Sequence, residues 1–516
     1  MQNDWGGQSF AHPPGRLPIV GDGRSVDPSR PLKSMVGHAE KLGEPIFEIQ
    51  VFDQKFVFVA SAELAAEMCD EQRFVKVLPP AVEALREFAG DGLFTAHSHE
   101  HNWRLAHDLL RPAFTRTAMQ SYHPVMVETL DELFDYWERL DGPVDVSRDM
   151  TKLTLETLAR AALSRDFASF DGVDPHPFVA AMITALKSGQ RIATLRTAPG
   201  GRLAVRRIRR KAKSSQDYVD ELLDDIIATR RAQPPSEHDL LGIMLSARHP
   251  ETGEQLDDTN IRHQILTFLV AGHETTSGAL SFALYYLSRD PEVLAKAHAE
   301  VDAVLGSDRD TVPTFEQVPQ FRYLRRVLDE ALRLWPTAPA FGRGPRETTT
   351  LSTGHVMRPE DWAIVLLPAV HRDPSVWGDD PERFDPDRFL PQNSRGRLPH
   401  SYKPWGTGER SCIGRQFAQQ EAILVLARLL HRYEITGDPD YELDIAERLT
   451  IVPKGFELRL TPRTPNADSE DQPADDSGSD DGSDSGDAPS DVCPVSSTDQ
   501  NGLNATSQRC PPGSVK

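Results

Sequence analysis

Apolar positions recur at three- and four-residue spacing along most of the chain up to about Trp335, with prolines and capping residues between the runs. That period predicts a succession of amphipathic helices. Two early segments break it: Phe47-Glu48-Ile49-Gln50-Val51-Phe52 and Phe56-Val57-Phe58-Val59 are rich in aromatic and β-branched residues and read as strands of a small sheet. Short apolar runs return from Thr348 to about Val370, and Tyr433 to Leu460 reads as terminal strands and turns. The pattern therefore predicts a mainly α fold with a minor β region. The first dozen residues carry no period, and Pro13-Pro14-Gly15-Arg16-Leu17-Pro18 reads as a stiff lead-in, so residues 1–15 are expected to be flexible and one domain to span 16–463. From about Thr464 the chain turns to Asp, Ser, Gly and Pro, which cannot bury enough surface to offset ordering entropy, and 464–516 is expected to be a disordered acidic tail.

The longest helical run, Ile261 to Leu287, carries Ala271-Gly272-His273-Glu274-Thr275-Thr276 at its middle. Polar groups there are costly unless they are used; Gly272 opens one face, and a threonine hydroxyl can compete for backbone carbonyls. Taken alone, a kinked core helix with satisfied polar groups is an equal reading.

Cys412 lies in Trp405-Gly406-Thr407-Gly408-Glu409-Arg410-Ser411-Cys412-Ile413-Gly414, just before a predicted helix over Gln416 to Leu430. Gly408 and Gly414 permit a tight turn and close approach to a flat ligand. A helix N-terminus favours an anion and is expected to lower the thiol pKa, keeping sulfur in its metal-ligating form. A lone cysteine is otherwise read as a small buried hydrophobe. Glu330 and Arg333 stand three apart on a predicted helix and can pair, as can groups on Trp103 and His107, four apart on another.

Composition narrows the field. The 516 residues and 39% hydrophobic content suffice for a large core. The net charge of -21 argues against bulk nucleic-acid binding; eleven acidic and two basic residues from Thr464 onward account for -9 of it. Four cysteines, at 69, 412, 493 and 510, make no disulfide framework, and Cys493 and Cys510 read as solvated thiols. With no signal-peptide pattern and no apolar run long enough to span a membrane, a soluble cytoplasmic protein is expected.

The spacing from Trp405 through Gly408, Arg410 and Cys412 to Gly414 resembles the haem-binding signature of the cytochrome P450 family, with Trp405 where the family more often has phenylalanine. The resemblance implies the cytochrome P450 fold, haem b with Cys412 as axial iron ligand, and dioxygen as co-substrate. It gives Thr275 a hydrogen bond to dioxygen, Glu274 a part in proton delivery, and Ala271 a place facing the haem. Trp103, His107 and Arg410, with Arg343 joining them, would bind the haem propionates. Glu330, Arg333 and Arg388 would form a buried structural core; Arg383 fits the short motif more literally, but Arg388 stands at the better distance from the cysteine.

Within the family the chain resembles the haem domain of bacterial self-sufficient fatty-acid hydroxylases, from roughly Pro18 to Leu460, including Phe88-Ala89-Gly90-Asp91-Gly92-Leu93-Phe94-Thr95. Phe94, Ala338 and Ala340 would line the pocket, and Gln54 and Phe58 would stand at the mouth where those hydroxylases carry Arg and Tyr. No reductase segment follows, so the expectation is a monooxygenase acting on an apolar substrate with NAD(P)H electrons from separate partners, a ferredoxin or flavodoxin and its reductase. Lys403, Arg410 and Arg415 would form the docking face. Fatty-acid hydroxylation competes with tailoring of a specialised-metabolite intermediate, then with a peroxide-driven peroxygenase and a non-catalytic haem sensor.

Overall fold

The computed structural model describes residues 3, 5–195, 200–232 and 239–464; beyond Thr464 the expected tail, with Cys493 and Cys510, lies outside the described residues. Helices carry most of the chain, and the strands form small sheets.

The main sheet contains β1 (Ile46–Val51), β2 (Gln54–Val59), β3 (Phe74–Val77), β4 (Ala340–Pro345) and β5 (Ala363–Leu366) in the order β1-β2-β5-β4-β3. Only the β2–β5 pair is parallel. Alternation along β1 and β2 places Phe47 opposite Phe58, and their rings stack at 5.3 Å. Phe58 is thereby packed with Ile49, Trp362 and Ile364 on one face of the sheet, while Val57, Val59 and Val365 pack on the other.

The expectation of a flexible N-terminus over residues 1–15 is corrected at Asn3 and Trp5. Trp5 is fully buried, its indole N–H donates to Trp362 O at 3.2 Å, and its backbone N–H donates to Asp361. Asn3 closes both main-chain groups of Trp362, at 2.9 and 3.0 Å. These partners lie more than 350 residues away, so local periodicity could not reveal them.

The helices that frame the site are α1 (His101–Leu110), α2 (Val146–Leu163), α3 (Pro177–Leu195), α4 (Gly201–Ala232), α5 (Asp258–Arg289), α6 (Arg322–Leu334) and α7 (Arg415–Arg432). The long predicted helix is α5: Asp257 caps it by accepting from Asn260 N–H, and Asp290-Pro291 ends it. It runs through the main core and packs most extensively on α2. A Cβ on Gly272 would lie 2.7 Å from Leu158 on α2, so the face that this glycine opens is filled by α2. Thr154 Oγ1 on α2 donates to His273 O at 2.9 Å, which satisfies a carbonyl in the middle of α5. Two short strands, β6 (Ile445–Glu447) and β7 (Ile451–Pro453), form a hairpin whose turn carries Arg448.

Candidate haem site

Cys412 sits on the loop before α7, its N–H donating to Trp405 O at 2.8 Å to close the turn. Gly408 adopts φ +62° there, and a Cβ on it would lie 2.0 Å from the Glu71 carboxyl carbon. Gly414 has an ordinary φ and room for a Cβ, so Gly406 at φ +73°, with Gly408, makes the turn. Cys412 is exposed, and the protein packed around its sulfur pushes the thiol up. The Gly414 N–H and Arg415 pull the other way without prevailing, which corrects the expectation of a lowered pKa.

Near this loop, α5 presents Thr275, Thr276 and Ala279 to a narrow slot of about 10 Å³ completed by Leu328 and Leu332 of α6, Thr337, Trp405, Ala418 and Ala422. Ala271 is exposed although most of this helix is buried.

Two cations, Arg410 on the cysteine loop and Lys76 on β3, stand close together. Arg410 donates to Ser98 Oγ, Leu93 O and Ala96 O at 3.1, 3.0 and 2.8 Å and lies 4.6 Å over the Trp103 ring. Burial pushes its guanidinium down to about 10, against the pull of Glu100 and Glu409. Lys76 donates to Phe94 O at 2.8 Å, and burial with the nearby Arg410 charge holds its amine well below the ordinary range. Neither cation has a carboxylate within ion-pair distance among the described residues. Two crowded cations without an acidic partner fit the two propionates of haem. Trp103 is buried and stacks on half-buried His107 at 5.3 Å.

Arg343 is placed differently. It is 1% exposed, and its donors go to Met68 O, Phe74 O and Glu71 at 2.8, 3.2 and 2.8 Å. It steadies the carboxylate against which Gly408 packs and faces no free edge of the slot. Sequence reasoning missed Lys76, although a lysine inside the apolar run Phe74–Val77 was a visible signal.

Glu330, on α6, is fully buried; burial pushes its carboxyl up against the opposing pull of Arg333 and Arg388. Arg333 meets it with two bonds, at 2.7 and 2.8 Å, and gives its other donors to the carbonyls of His371, Pro381 and Arg383. Arg388 Nε lies 3.5 Å from Glu330, whereas Arg383 contributes its carbonyl and exposes its side chain. His371 continues the chain: Nδ1 donates to Arg333 O at 3.2 Å and Nε2 accepts from Lys403 N–H at 3.0 Å, at the root of the cysteine loop. Burial pushes this imidazole down to about 3, so it stays neutral.

A second cavity, of about 150 Å³, shares Thr275 with the slot and is lined by Phe94, Ala271, Glu274, Thr275, Ala338 and Ala340, among other mainly apolar side chains. Thr275 Oγ1 donates to Ala271 O at 2.7 Å. Glu274 is 2% exposed and pairs with Arg448 from the β6–β7 turn; its Oε2 has no partner among the described residues. Arg448 lies 174 positions from Glu274, and no sequence signal marked it. Gln54 and Phe58 do not line this cavity: Phe58 is committed to the sheet face, and Gln54 pairs with Val51 at the hairpin end. The docking face loses Arg410, whose donors point inward, while Arg415 remains exposed.

A cysteine on a glycine turn ahead of α7, with Arg410 and Lys76 crowded beside it without a carboxylate partner among the described residues, fits the expectation of a haem-thiolate centre. The chain belongs to the cytochrome P450 family, whose model matches residues 11–460. It is 43% identical over 456 residues to a bifunctional cytochrome P450/NADPH–P450 reductase of Bacillus cereus, covering 87% of this chain and 41% of that protein. It is 44% identical over 455 residues to bifunctional cytochrome P450/NADPH–P450 reductase 1 of Bacillus subtilis, covering 87% and 42%. A self-sufficient cytochrome P450 monooxygenase of Phanerodontia chrysosporium is 40% identical over 457 residues, covering 87% and 42%. The chain thus spans about two-fifths of the length of these relatives. No helix among the described residues is long and apolar enough to cross a membrane.

Proposed function

We propose that the chain is a haem-thiolate monooxygenase that inserts one atom of dioxygen into an apolar substrate, with electrons from NAD(P)H through a redox partner. The observation that carries this reading is the shared wall: Ala271, Glu274 and Thr275 line the larger cavity, and Thr275 also lines the slot near the cysteine loop. Cys412 would be the iron ligand, and Trp103, His107, Arg410 and Lys76 would hold the propionates. When bound, haem would supply dioxygen activation, aided by electron donation from the Cys412 thiolate.

The chain's own residues do the rest. Apolar walls exclude water and hold the substrate by burial. Thr275 is one bond rotation from exchanging Ala271 O for a partner in the cavity, and the carboxylate of Glu274, anchored by Arg448, can pass protons through its unpartnered Oε2. A peroxygenase would need no such acid and alcohol side by side.

Among the described residues, the charged side chains in the lining are Asp220 and Glu274, both acidic and each paired with an arginine. A free fatty carboxylate would meet no cation among the described lining residues, so long-chain hydroxylation is favoured for neutral or loosely anchored chains, with specialised-metabolite tailoring as the alternative. For electrons, the relatives' names point to an NADPH-dependent flavoprotein reductase, and a flavodoxin fits that pattern better than a ferredoxin. The test is Thr275→Ala in the haem-loaded chain with reductase and a bound apolar substrate. NADPH consumption should persist while product falls and hydrogen peroxide rises; unchanged coupling between NADPH and product would overturn the assignment.

A further inference from the structure

The N-terminal half of α4 is at odds with the rest of the molecule. Arg202, Arg206, Arg207, Arg209, Arg210, Lys211 and Lys213 are all exposed, and no acidic residue lies between Gly201 and Lys213, in a chain of net charge -21. Only Arg209 and Lys213 are paired, with Glu87 and Asp217; the other five have no ion pair among the described residues. Within the helix this arrangement is unfavourable. Arg202 and Arg206, Arg206 and Arg210, Arg207 and Lys211, and Arg209 and Lys213 stand four apart and repel, and the N-terminal end of a helix disfavours cations. A stretch that opposes its own helix is explained by an anionic surface outside it.

The position says which surface. The inward stripe of α4 buries Val205 and Ala212, packs on α3, and lines the substrate cavity at Ala212, Ser215 and Gln216. The basic stripe is thus the outer side of a wall of that cavity. Leu203 stands 73% exposed among these arginines and is the most exposed large apolar side chain among the described residues. An apolar side chain ringed by guanidinium groups suits the headgroup region of a bilayer, where arginine meets phosphate and leucine meets the acyl chains.

We propose that this face docks on an anionic phospholipid surface and brings the cavity wall to the bilayer, where apolar substrates concentrate. Because charges beyond about 8 Å are screened at physiological salt, the acidic remainder of the protein opposes this contact weakly and orients it. The proposal stands whether or not the catalytic reading does, since its readout is binding.

Flotation of the full chain with vesicles of phosphatidylcholine alone, or with about one-third phosphatidylglycerol, tests it. Binding is expected only to the anionic vesicles, with release at about 0.5 M salt. Arg206→Glu, Arg207→Glu and Arg210→Glu together should lower the partition coefficient at least on the order of 100-fold, while the corresponding lysine triple retains binding. The reversed triple should melt no lower than the parent, since the 202/206 and 207/211 pairs become attractive while only 206/210 stays repulsive. Should it fail to fold, Arg210→Glu alone, expected to lose about fivefold, decides. Equal partition to neutral and anionic vesicles, undiminished binding after charge reversal, or capture of an acidic protein with no vesicle binding would each overturn the proposal.

Discussion

Replacing Arg333 with lysine keeps the charge beside Glu330 and removes the geometry. The guanidinium makes five hydrogen bonds, two to Glu330 and one each to the carbonyls of His371, Pro381 and Arg383. An ammonium has three donors on one atom, so at least two buried acceptors lose their partner, and the bidentate pairing with Glu330 is lost. At about 1–3 kcal/mol for each buried group left unsatisfied, the cost is roughly 2–6 kcal/mol, with no relief from solvent because both side chains are fully buried. Haem should also be held less firmly, because the bond from Arg333 to His371 is one step from Lys403 and the cysteine loop. Urea unfolding of the haem-loaded chain, followed by far-UV circular dichroism and by the Soret band, measures both effects. A loss below about 1 kcal/mol would refute the five-bond account, since not even one buried acceptor would then have been stranded.

Cys412→Ser should abolish the red-shifted Soret band of the ferrous carbonyl complex, and a thiolate-type spectrum in that variant would remove Cys412 as ligand. Gly342→Ala should cost about 1–3 kcal/mol, read as a lower melting temperature, because the new Cβ would stand 2.4 Å from Val77 O across the β3–β4 pair. The acid limb of stability follows from His371: its pKa is about 3 when folded and 6.5 when released, so the unfolded chain binds an extra proton between these values. The contribution of this neutral imidazole is whole above pH 6.5 and is lost as pH falls, by up to about 5 kcal/mol near pH 3. His371→Asn should flatten that limb in a series of melts, and an unchanged slope would exclude His371 as its source.

The parts legible in the sequence were those whose chemistry is contiguous or one helical turn apart. The Cys412 loop, Ala271 to Thr275, and the Glu330–Arg333 pair each lie within a single element, where spacing alone brings the groups together. What escaped was made by chain segments far apart. Arg448 reaches Glu274 from a hairpin turn, and Arg343 is claimed by Glu71 and by carbonyls about 270 residues away. Phe58 illustrates a different limit: alternation assigned it to a strand, but only the pairing partner Phe47 decided which surface it would serve.

The clasp of Asn3 and Trp5 on Trp362 bears on how the chain is made. β1 and β2 leave the ribosome early, yet β5, which pairs with β2, and the Trp362 main chain that Asn3 needs come about 300 residues later. At roughly 5–20 residues per second, that interval is about 15–60 s. Through it the hairpin presents an unpaired edge and Trp5 lacks its burial site, a template for pairing with other nascent chains. The nascent N-terminal segment is therefore a natural client for chaperones that shield apolar stretches, and insolubility during rapid expression should originate there.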